Sequence, residues 1–337
     1  MWTNKSLPSH ITAVNTSQMT RKQWEEFRKS LNTLGGSDVG TCIGLNRWKS
    51  NIELFYEKLG LYNKGDFDSV PMMMGRELES NIRSLFKYYN VENPKEFLDN
   101  YRNKKEINIV RQRHATFFNE NIPEIHANID GIVRLQGRED YGVLEIKYQS
   151  GQAVRLWENG INPSYLVQLT AYMQLLELNY GVLCIIVDSN QWNVHVIERN
   201  DDFWNKIYPQ IQEFHERIVE AKEGLSYLDT DDEKINEAYI YEPETLFKEQ
   251  SKPYESFLSD YAKRREKEMV IEGDEIMYQM ALEVERLNDI AKEAESEARD
   301  AKNRLKKAIL NMGASVINFG DKGSVTYRTQ LRLNLKT

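Results

Sequence analysis

The chain is poor in cysteine and has no long apolar run. Only two cysteines occur among its 337 residues, Cys42 and Cys184. They cannot build a disulfide framework, and they are too few for an all-cysteine zinc site or an iron–sulfur cluster. No apolar run approaches the roughly 20 residues that cross a bilayer, and residues 1–15 lack the features of a secretory signal. We therefore expect a protein of the reducing cytoplasm with no membrane partner.

Positive charge is also in deficit, because the formal net charge is −8. This balance argues against a protein that coats nucleic acid non-specifically through a broad basic surface. It leaves open DNA binding in a local basic groove. Two basic clusters are candidates for such a groove, Arg102–Lys105 and Arg111–His114, and at least one of them is expected to be solvated surface.

The spacing of apolar residues changes along the chain. The first third has mostly helical spacing, as in residues 75–90. Residues 126–135 and 141–148 are strand-like runs joined by a polar turn. A helix comes next, and residues 180–198 then form a second strand pair. These patterns predict one α/β domain over residues 1–224, with a small mixed sheet flanked by helices.

The last third has a different pattern. Residues 225–253 are acidic and weakly patterned, which predicts a linker, and residues 254–337 are predicted to form a helical hairpin with a terminal β-hairpin. From Met277 to Met312, apolar residues and alanines recur at steps of three and four, the pattern of a coiled-coil seam. Two interpretations remain open, a helix packed on its own domain and a contact between subunits.

The strand-like run 141–148 carries two opposite charges on one face. Side chains alternate along a strand, so Glu145 and Lys147 point the same way. An exposed surface ion pair is the simplest interpretation of such a doublet. However, Asp130 lies fifteen residues earlier, in the run expected to pair with this strand, so a second carboxylate can reach the same edge of the sheet.

Two neighbouring carboxylates repel each other unless a cation joins them. Mg²⁺, for which Mn²⁺ can substitute, prefers such oxygen ligands, and the Ile146 carbonyl is a further candidate ligand. Lys147 could then orient a metal-bound water or help to deprotonate it. Glu79 could reach the same metal from its helix, although an ion pair with Arg83 at i+4 is a serious alternative.

A later helix adds two polar residues to this set. Gln168 and Tyr172 are four residues apart and share one helix face. A glutamine can hold the attacking water or a phosphate oxygen, and a tyrosine can hold the DNA backbone. Taken alone, both are more often ordinary residues of a helix surface.

Together and in this order, these motifs resemble a known family. Residues 24–221 are similar to the phage-type alkaline exonucleases, the lambda exonuclease and YqaJ-like viral recombinase family of the PD-(D/E)xK nuclease superfamily. The resemblance rests on the segments LGGSDVGTCIG, MGRELESNIRSLFKYY, NIDGIV, LEIKY and YLVQLTAYMQL. One departure is Ile129, which stands where the wider superfamily often has proline before the acidic residue.

The resemblance implies a PD-(D/E)xK, restriction-endonuclease-like core and a Mg²⁺-dependent deoxyribonuclease. Such an enzyme degrades one strand of linear double-stranded DNA from its 5′ end and leaves 3′ single-stranded tails for recombination by strand annealing. The implied catalytic residues are Asp130, Glu145, Lys147 and Gln168, and the implied metal ligands are Glu79, Asp130, Glu145 and Ile146.

The resemblance also implies a pocket for the 5′ phosphate. Arg28 and Ser37 match the family positions there, with Tyr172 as a further DNA contact. An arginine offers a fork of donors to a phosphate, and a serine at a helix start offers its hydroxyl and backbone N–H groups. Ser37 or Asp38 is expected to cap that helix.

Family membership further implies a ring-shaped homotrimer around DNA, a single-strand annealing protein as partner, and a phage or prophage origin in a bacterial cytoplasm. Other functions remain open: a RecB-like nuclease, including the CRISPR-associated kind, a restriction-type endonuclease, and a non-catalytic scaffold that binds DNA ends. The intact set of Glu79, Asp130, Glu145 and Lys147 argues against the scaffold, because a dead relative is expected to have lost at least one of them.

Overall fold

The computed structural model describes residues 7–63, 70–157, 161–188, 191–244, 247–263, 272–327 and 331–335. The chain divides into two units, residues 1–265 and residues 266–337. The first is a mixed α/β unit with two small sheets flanked by helices, and the second holds one long helix and a small antiparallel sheet. This architecture confirms the predicted fold class.

The helices are α1 (Arg21–Ser30), α2 (Gly36–Cys42), α3 (Asn51–Lys58), α4 (Val70–Phe86), α5 (Phe97–Arg102), α6 (Gly151–Val154), α7 (Pro163–Leu176), α8 (Asp201–Gly224), α9 (Asp231–Glu237), α10 (Phe247–Lys263) and α11 (Glu275–Asn311). The strands are β1 (Ile11–Asn15), β2 (Leu34–Gly35), β3 (Ile109–Arg111), β4 (Ala115–Asn119), β5 (Ile122–Asn128), β6 (Gly131–Arg134), β7 (Gly142–Gln149), β8 (Tyr180–Val187), β9 (Gln191–Glu198), β10 (Val316–Asn318), β11 (Gly323–Tyr327) and β12 (Leu331–Leu335). Among the described helices, none combines the length and the apolar character needed to span a membrane.

Two sheets form the framework of the first unit. One has the strand order β1–β4–β5–β2, and the other has the order β3–β6–β7–β8–β9. In the second sheet β7 and β8 run parallel, whereas β6–β7 and β8–β9 are antiparallel. A parallel pair needs a crossover connection, and α7 lies in the chain between β7 and β8. The mixed character of the sheet follows from this one crossover.

Helix α7 is the central helix of the first unit. Its residues from Val167 to Leu176 are all buried, as expected for a helix that is apolar on most sides. Asn162 caps its start by accepting a hydrogen bond from the Ser164 N–H, and Pro163 occupies the first turn, where its missing N–H costs nothing. The helix therefore holds its polar residues in fixed positions inside the core.

The run predicted as one strand, residues 126–135, is divided between the two sheets. Strand β5 ends at Asn128 in the first sheet, and β6 begins at Gly131 in the second. The prediction of a single strand is therefore wrong at Ile129 and Asp130, where the chain passes from one sheet to the other. Since Gly131 pairs with Leu144, this crossing leaves Asp130 beside the next part of β7.

The segment predicted as an acidic linker, residues 225–253, contains α9 and the start of α10. Phe257 of α10 is only 2% exposed, and its ring lies 5.5 Å from Tyr56 and 4.9 Å from Tyr62, measured between ring centroids. The Tyr56 hydroxyl also donates to Glu242 Oε1 at 2.7 Å. The structure thus differs from the predicted boundaries at 224 and 253, because Glu242 of the acidic segment and Phe257 of α10 both contact Tyr56 of α3.

The second unit is built on α11, a helix of 37 residues. At 1.5 Å per residue it is about 55 Å long. Asp274 caps its start by accepting from the Met277 N–H at 2.8 Å. The sheet of this unit has the order β10–β11–β12, so the predicted terminal β-hairpin is present and carries a third strand.

Candidate functional site

A cavity of about 320 Å³ in the first unit gathers the residues that the sequence singled out. Every candidate side chain lines it, although the residues come from distant parts of the chain. They are Arg28, Ser37, Glu79, Asp130, Glu145, Lys147, Gln168 and Tyr172. Ile146, which was predicted to act through its backbone carbonyl, lies between Glu145 and Lys147 on β7. Their proposed roles stay predictions, but their proximity is a feature of the fold.

Glu145 lies at the centre of this cavity and is 2% exposed. Its Oε1 accepts hydrogen bonds from Lys147 Nζ at 2.6 Å and from Gln168 Nε2 at 2.8 Å. Its Oε2 is buried and has no hydrogen-bond partner. Leaving a buried carboxylate oxygen without a donor is costly, so a cation is expected to bind beside Glu145 Oε2.

Asp130 faces the same cavity and is fixed through the backbone. Its Oδ2 accepts from the Ile146 N–H at 2.7 Å, and its carbonyl accepts from Arg83 at 2.8 Å. Burial raises the pKa of Asp130 well above its usual range, and the negative charges of Glu145 and Glu79 raise it further. Burial also raises the pKa of Glu145, although Lys147 acts in the opposite direction.

These features fit a divalent cation. The buried Glu145 carboxylate and the half-buried Asp130 carboxylate face one cavity, and the Glu145 Oε2 atom has no donor. In a strand the N–H and C=O of one residue point to the same side, so the Ile146 carbonyl lies on the side of its N–H partner, Asp130. Oxygen donors of this kind suit Mg²⁺ or Mn²⁺.

The Glu79 carboxylate does not join Asp130 and Glu145 as a third ligand in a metal-binding cluster. Among the described residues, no group of three or more acidic, histidine or cysteine side chains converges as a metal-binding cluster. Glu79 instead accepts from Arg83 at 2.7 Å, the i+4 pair that the sequence left open. Glu79 therefore remains a predicted metal ligand that lines the cavity and is paired with an arginine.

Lys147 is a cation in this environment. Burial acts to lower its pKa, but the neighbouring carboxylates of Glu145 and Asp130 outweigh burial and raise it. The ammonium also lies 4.9 Å from the centroid of the Tyr165 ring, within the range of a cation–π interaction. A lysine that keeps its proton donates hydrogen bonds, and it does not accept a proton from water.

Gln168 and Tyr172 share one face of α7, as predicted. Gln168 Nε2 lies 3.1 Å from the Tyr172 hydroxyl, and both side chains are buried. The Tyr172 ring packs directly against the start of α2: a Cβ atom added to Gly36 would lie 2.1 Å from a ring carbon. Only a glycine leaves room for this contact. The contact fixes Tyr172, whose hydroxyl and the Glu145 carboxylate both accept hydrogen bonds from Gln168.

We expect Gly36→Ala to destabilise the protein. The added methyl group must displace a buried ring, which costs about 1–3 kcal/mol of unfolding free energy. Denaturant unfolding of the variant measures this loss. Gly75→Ala is the control, because the nearest atom to its added Cβ is Tyr148 Cβ at 3.8 Å. A Gly36→Ala variant as stable as the wild type would contradict the packing of Tyr172 described above.

The other end of the cavity suits an anion. Arg28 of α1 lies 4.7 Å from the Trp24 ring, and its buried Nε has no hydrogen-bond partner. Helix α2 is capped at Gly35 and not at Ser37 or Asp38 as predicted, because the Asp38 carboxylate accepts from the Gly35 N–H. Ser37 therefore occupies the first turn of α2 and lines the cavity.

An ion pair between Asp38 and Lys58 holds this turn in place. Asp38 Oδ2 accepts from Lys58 Nζ at 2.8 Å. Burial acts to raise the pKa of Asp38, but Lys58 and Lys49 outweigh burial and lower the pKa to about 2. The carboxylate is therefore charged at neutral pH, and it fixes the Gly35 backbone beside Arg28 and Ser37.

The sequence analysis did not identify Arg113 as a site residue. This arginine lines the cavity, and its buried Nε has no hydrogen-bond partner. Burial, together with the charge of Arg111, lowers its pKa. The only sequence signal was the basic cluster Arg111–His114, whose members looked equivalent. The other lining residues that were not predicted are Thr16, Trp24, Gly35, Gly36, Gln112, His114, Ala115, Asn128 and Ile129.

The fold and the site together define a mixed α/β protein with an acid-x-lysine site on a central strand. Its cavity presents two neighbouring carboxylates, Asp130 and Glu145, and two arginines that are not fully paired. Such a cavity can hold a cation and an anionic group side by side.

Comparison with known proteins finds a family that part of this unit resembles. Residues 23–177 match the YqaJ-like viral recombinase domain, which confirms the family resemblance read from the sequence. The uncharacterized protein YqaJ of Bacillus subtilis (strain 168) is 29% identical over 202 residues, which cover 59% of this chain and 56% of that protein. The chain thus matches little more than half the length of that relative.

Two exonucleases are among the solved structures that resemble part of this chain. The alkaline exonuclease LHK-Exo from Laribacter hongkongensis is 18% identical, with a TM-score of 0.44, and the match covers 60% of this chain and 96% of that one. A phage-related exonuclease from Haemophilus somnus 129PT is 12% identical, with a TM-score of 0.36, and the match covers 56% of this chain and 95% of that one.

Proposed function

We propose that this protein is a Mg²⁺-dependent exodeoxyribonuclease. It degrades one strand of linear double-stranded DNA from the 5′ end and leaves 3′ single-stranded tails for recombination by strand annealing. The observation that carries the proposal is the cavity in which Asp130, Glu145 and Lys147 meet beside Arg28. The match of residues 23–177 to a viral recombinase domain supports the recombination role.

Asp130, Glu145 and the Ile146 carbonyl are the groups that would hold the divalent ion, with Glu79 as a further candidate. When bound there, such an ion would lower the pKa of a water molecule and offset the charge that develops on the phosphate. Hydrogen bonds restrict the motion of both carboxylates, because Asp130 is held by the Ile146 N–H and Glu145 by Lys147 and Gln168. The protein thus keeps the oxygens in place before substrate arrives.

The remaining residues act on the DNA strand. Lys147 keeps its proton, so it donates to Glu145 and is available as a donor to a phosphate oxygen or to the attacking water. Gln168 is oriented by Tyr172 and Glu145. Arg28 and Arg113 each offer guanidinium donors to phosphate oxygens, which arginine can bind in bidentate geometry.

We expect Arg28→Ala to reduce the preference for 5′-phosphorylated ends over 5′-hydroxyl ends. A charge-assisted hydrogen bond contributes about 1.5–3 kcal/mol, so the preference should fall by about 10- to 100-fold. Initial rates on the two substrates measure it. The control is Arg21→Ala in the same helix, because Arg21 is exposed and pairs with Glu25. An unchanged preference in Arg28→Ala would remove this residue from the phosphate pocket.

The exonuclease proposal is tested with one DNA sequence in two forms. Linear duplex and covalently closed circles are incubated with the protein, with and without Mg²⁺, and the products are separated on a gel. We expect the linear form alone to be degraded, and only with Mg²⁺. An endonuclease cuts both forms, and a non-catalytic scaffold leaves both intact. A strand labelled at either end gives the polarity in the same assay.

Two partners belong to the same proposal. A single-strand annealing protein would take up the 3′ tails, and a homotrimeric ring would keep the enzyme on its DNA. Mass measurement of the purified protein tests the ring, and co-purification with a single-strand annealing protein tests the partner.

A further inference from the structure

Helix α11 carries an apolar seam that is exposed along residues 277–301. The seam consists of Met277, Met280, Val284, Leu287, Ala291, Ala294, Ala298, Ala301, Leu305, Ala308 and Met312. Met280 is 64% exposed, Val284 59% and Leu287 51%. Exposing large apolar side chains along a whole helix is unfavourable in water. The steps of three and four residues are those with which one helix packs against another, so the seam indicates a partner helix.

The covered part of α11 lies near its C-terminal end. Ile309 is fully buried, Leu305 of the seam is half-buried, and Lys306 lies 5.7 Å from the centroid of the Tyr327 ring of β11. The seam positions Ala308 and Met312 are exposed. The small sheet of the second unit therefore packs against this end of α11 and leaves the seam residues 277–301 exposed.

Charge is distributed unevenly along α11. Residues 275–297 contain seven acidic and two basic side chains, whereas residues 298–311 contain one acidic and five basic ones. The first part is therefore strongly negative and the second strongly positive. A partner helix that matches this pattern must carry the same two blocks in the opposite direction.

We propose that the partner of α11 is the α11 helix of a second copy, paired in antiparallel orientation. In this pairing the acidic part of each helix faces the basic part of the other. A parallel pair would place the two acidic parts together and the two basic parts together, and like charges at such positions repel. Antiparallel pairing with one partner thus covers the apolar seam and places opposite charges next to each other.

The distribution of side-chain sizes along the seam agrees with this orientation. Ala291, Ala294, Ala298 and Ala301 lie in the middle, and larger residues lie toward both ends, among them Met280, Leu287, Leu305 and Met312. When two copies run in opposite directions, each alanine stretch meets a part of the partner that lies near the middle of its own helix. Two helices can approach closely where both present small residues.

Spin labels measure the orientation in the full-length protein. Gln279→Cys places a label near the start of α11, off the seam, and the native Cys42 and Cys184 are buried. In an antiparallel pair, two such labels lie about 40–50 Å apart, because each helix rises 1.5 Å per residue. In a parallel pair they lie less than about 20 Å apart, because packed helix axes are 8–10 Å apart. Labelled wild-type protein gives the background.

A matched pair of variants shows whether the seam is responsible. Leu287→Lys puts a charge in the seam, and Leu282→Lys puts the same charge on another face of α11. We expect the distance of about 40–50 Å to disappear with Leu287→Lys and to persist with Leu282→Lys. We also expect association to weaken as salt rises, because opposite charges face each other.

Several outcomes would overturn the proposal. They are a short distance between the labels, no intermolecular distance at all, or a distance unaffected by Leu287→Lys. A trimer formed only through the first unit would give a distance unaffected by Leu287→Lys. A helix covered by its own chain would give no intermolecular distance. None of these outcomes depends on DNA cleavage, so the test is independent of the proposed nuclease function.

Discussion

Replacing Glu145 by glutamine is expected to abolish DNA cleavage while the protein stays folded. The substitution keeps the shape of the side chain and removes the negative charge that would hold the divalent ion. A bound ion contributes several kcal/mol to stabilising the charge of the transition state, so we expect a rate at least about 10³-fold lower. Single-turnover digestion of an end-labelled linear duplex measures the rate.

The control for this variant is Glu139→Gln, which removes an exposed carboxylate in the turn that leads into β7. It changes the net charge by the same amount and should cleave DNA like the wild type. Circular dichroism and thermal unfolding establish that both variants are folded. A Glu145→Gln protein that still degrades the duplex at the wild-type rate would remove Glu145 from the mechanism.

Replacing Lys147 by methionine should have a second large effect, on stability as well as on activity. Lys147 Nζ is the cationic partner of the buried Glu145 Oε1 at 2.6 Å. Removing one partner of a buried pair leaves an uncompensated charge, which costs about 3 kcal/mol or more. We therefore expect a protein that cannot cleave DNA and that unfolds at clearly lower denaturant concentration, measured in EDTA.

The loss of stability should depend on pH in a defined direction. Burial already raises the pKa of Glu145 above its usual value, and Lys147 counteracts that rise, so the variant should raise the pKa further. An acid with a raised pKa in the folded state binds its proton more tightly there, so stability is present at low pH and is lost as pH rises through the folded-state pKa. The Lys147→Met variant should thus be more stable near pH 5 than near pH 8.

A double variant separates the two effects of Lys147. Glu145→Gln combined with Lys147→Met removes both charges, so we expect most of the stability to return and the extra pH dependence to vanish. Activity should not return, because the Glu145 carboxylate is still missing. If the double variant is no more stable than Lys147→Met alone, the buried pair does not explain the loss.

The local part of the site could be predicted from the sequence. Strand alternation places Glu145 and Lys147 on one face, and the structure joins them by a hydrogen bond. Helix spacing places Gln168 and Tyr172 on one face, and the structure joins these as well. Both rules connect residues that are at most four positions apart, where backbone geometry alone decides which side chains meet.

Features that depend on long-range packing could not be predicted in this way. The sequence predicted that Asp130 reaches the strand of Glu145, but no pattern in residues 126–135 marks the change of sheet that brings it there. Arg113 looked like one of several surface cations, and only the folded cavity distinguishes it. The docking of α10 depends on Phe257 meeting Tyr56 across about two hundred residues, a contact between distant parts of the chain that no local pattern specifies.

The most direct measurement is an anomalous difference map from crystals of the protein grown with Mn²⁺, which scatters anomalously and can take the place of Mg²⁺. We expect a peak in the cavity within about 2.0–2.3 Å of carboxylate oxygens of both Asp130 and Glu145, and no such peak in crystals of Glu145→Gln. A map whose only peaks lie at surface carboxylates, with none between these two residues, would contradict the proposed metal site and the nuclease mechanism that depends on it.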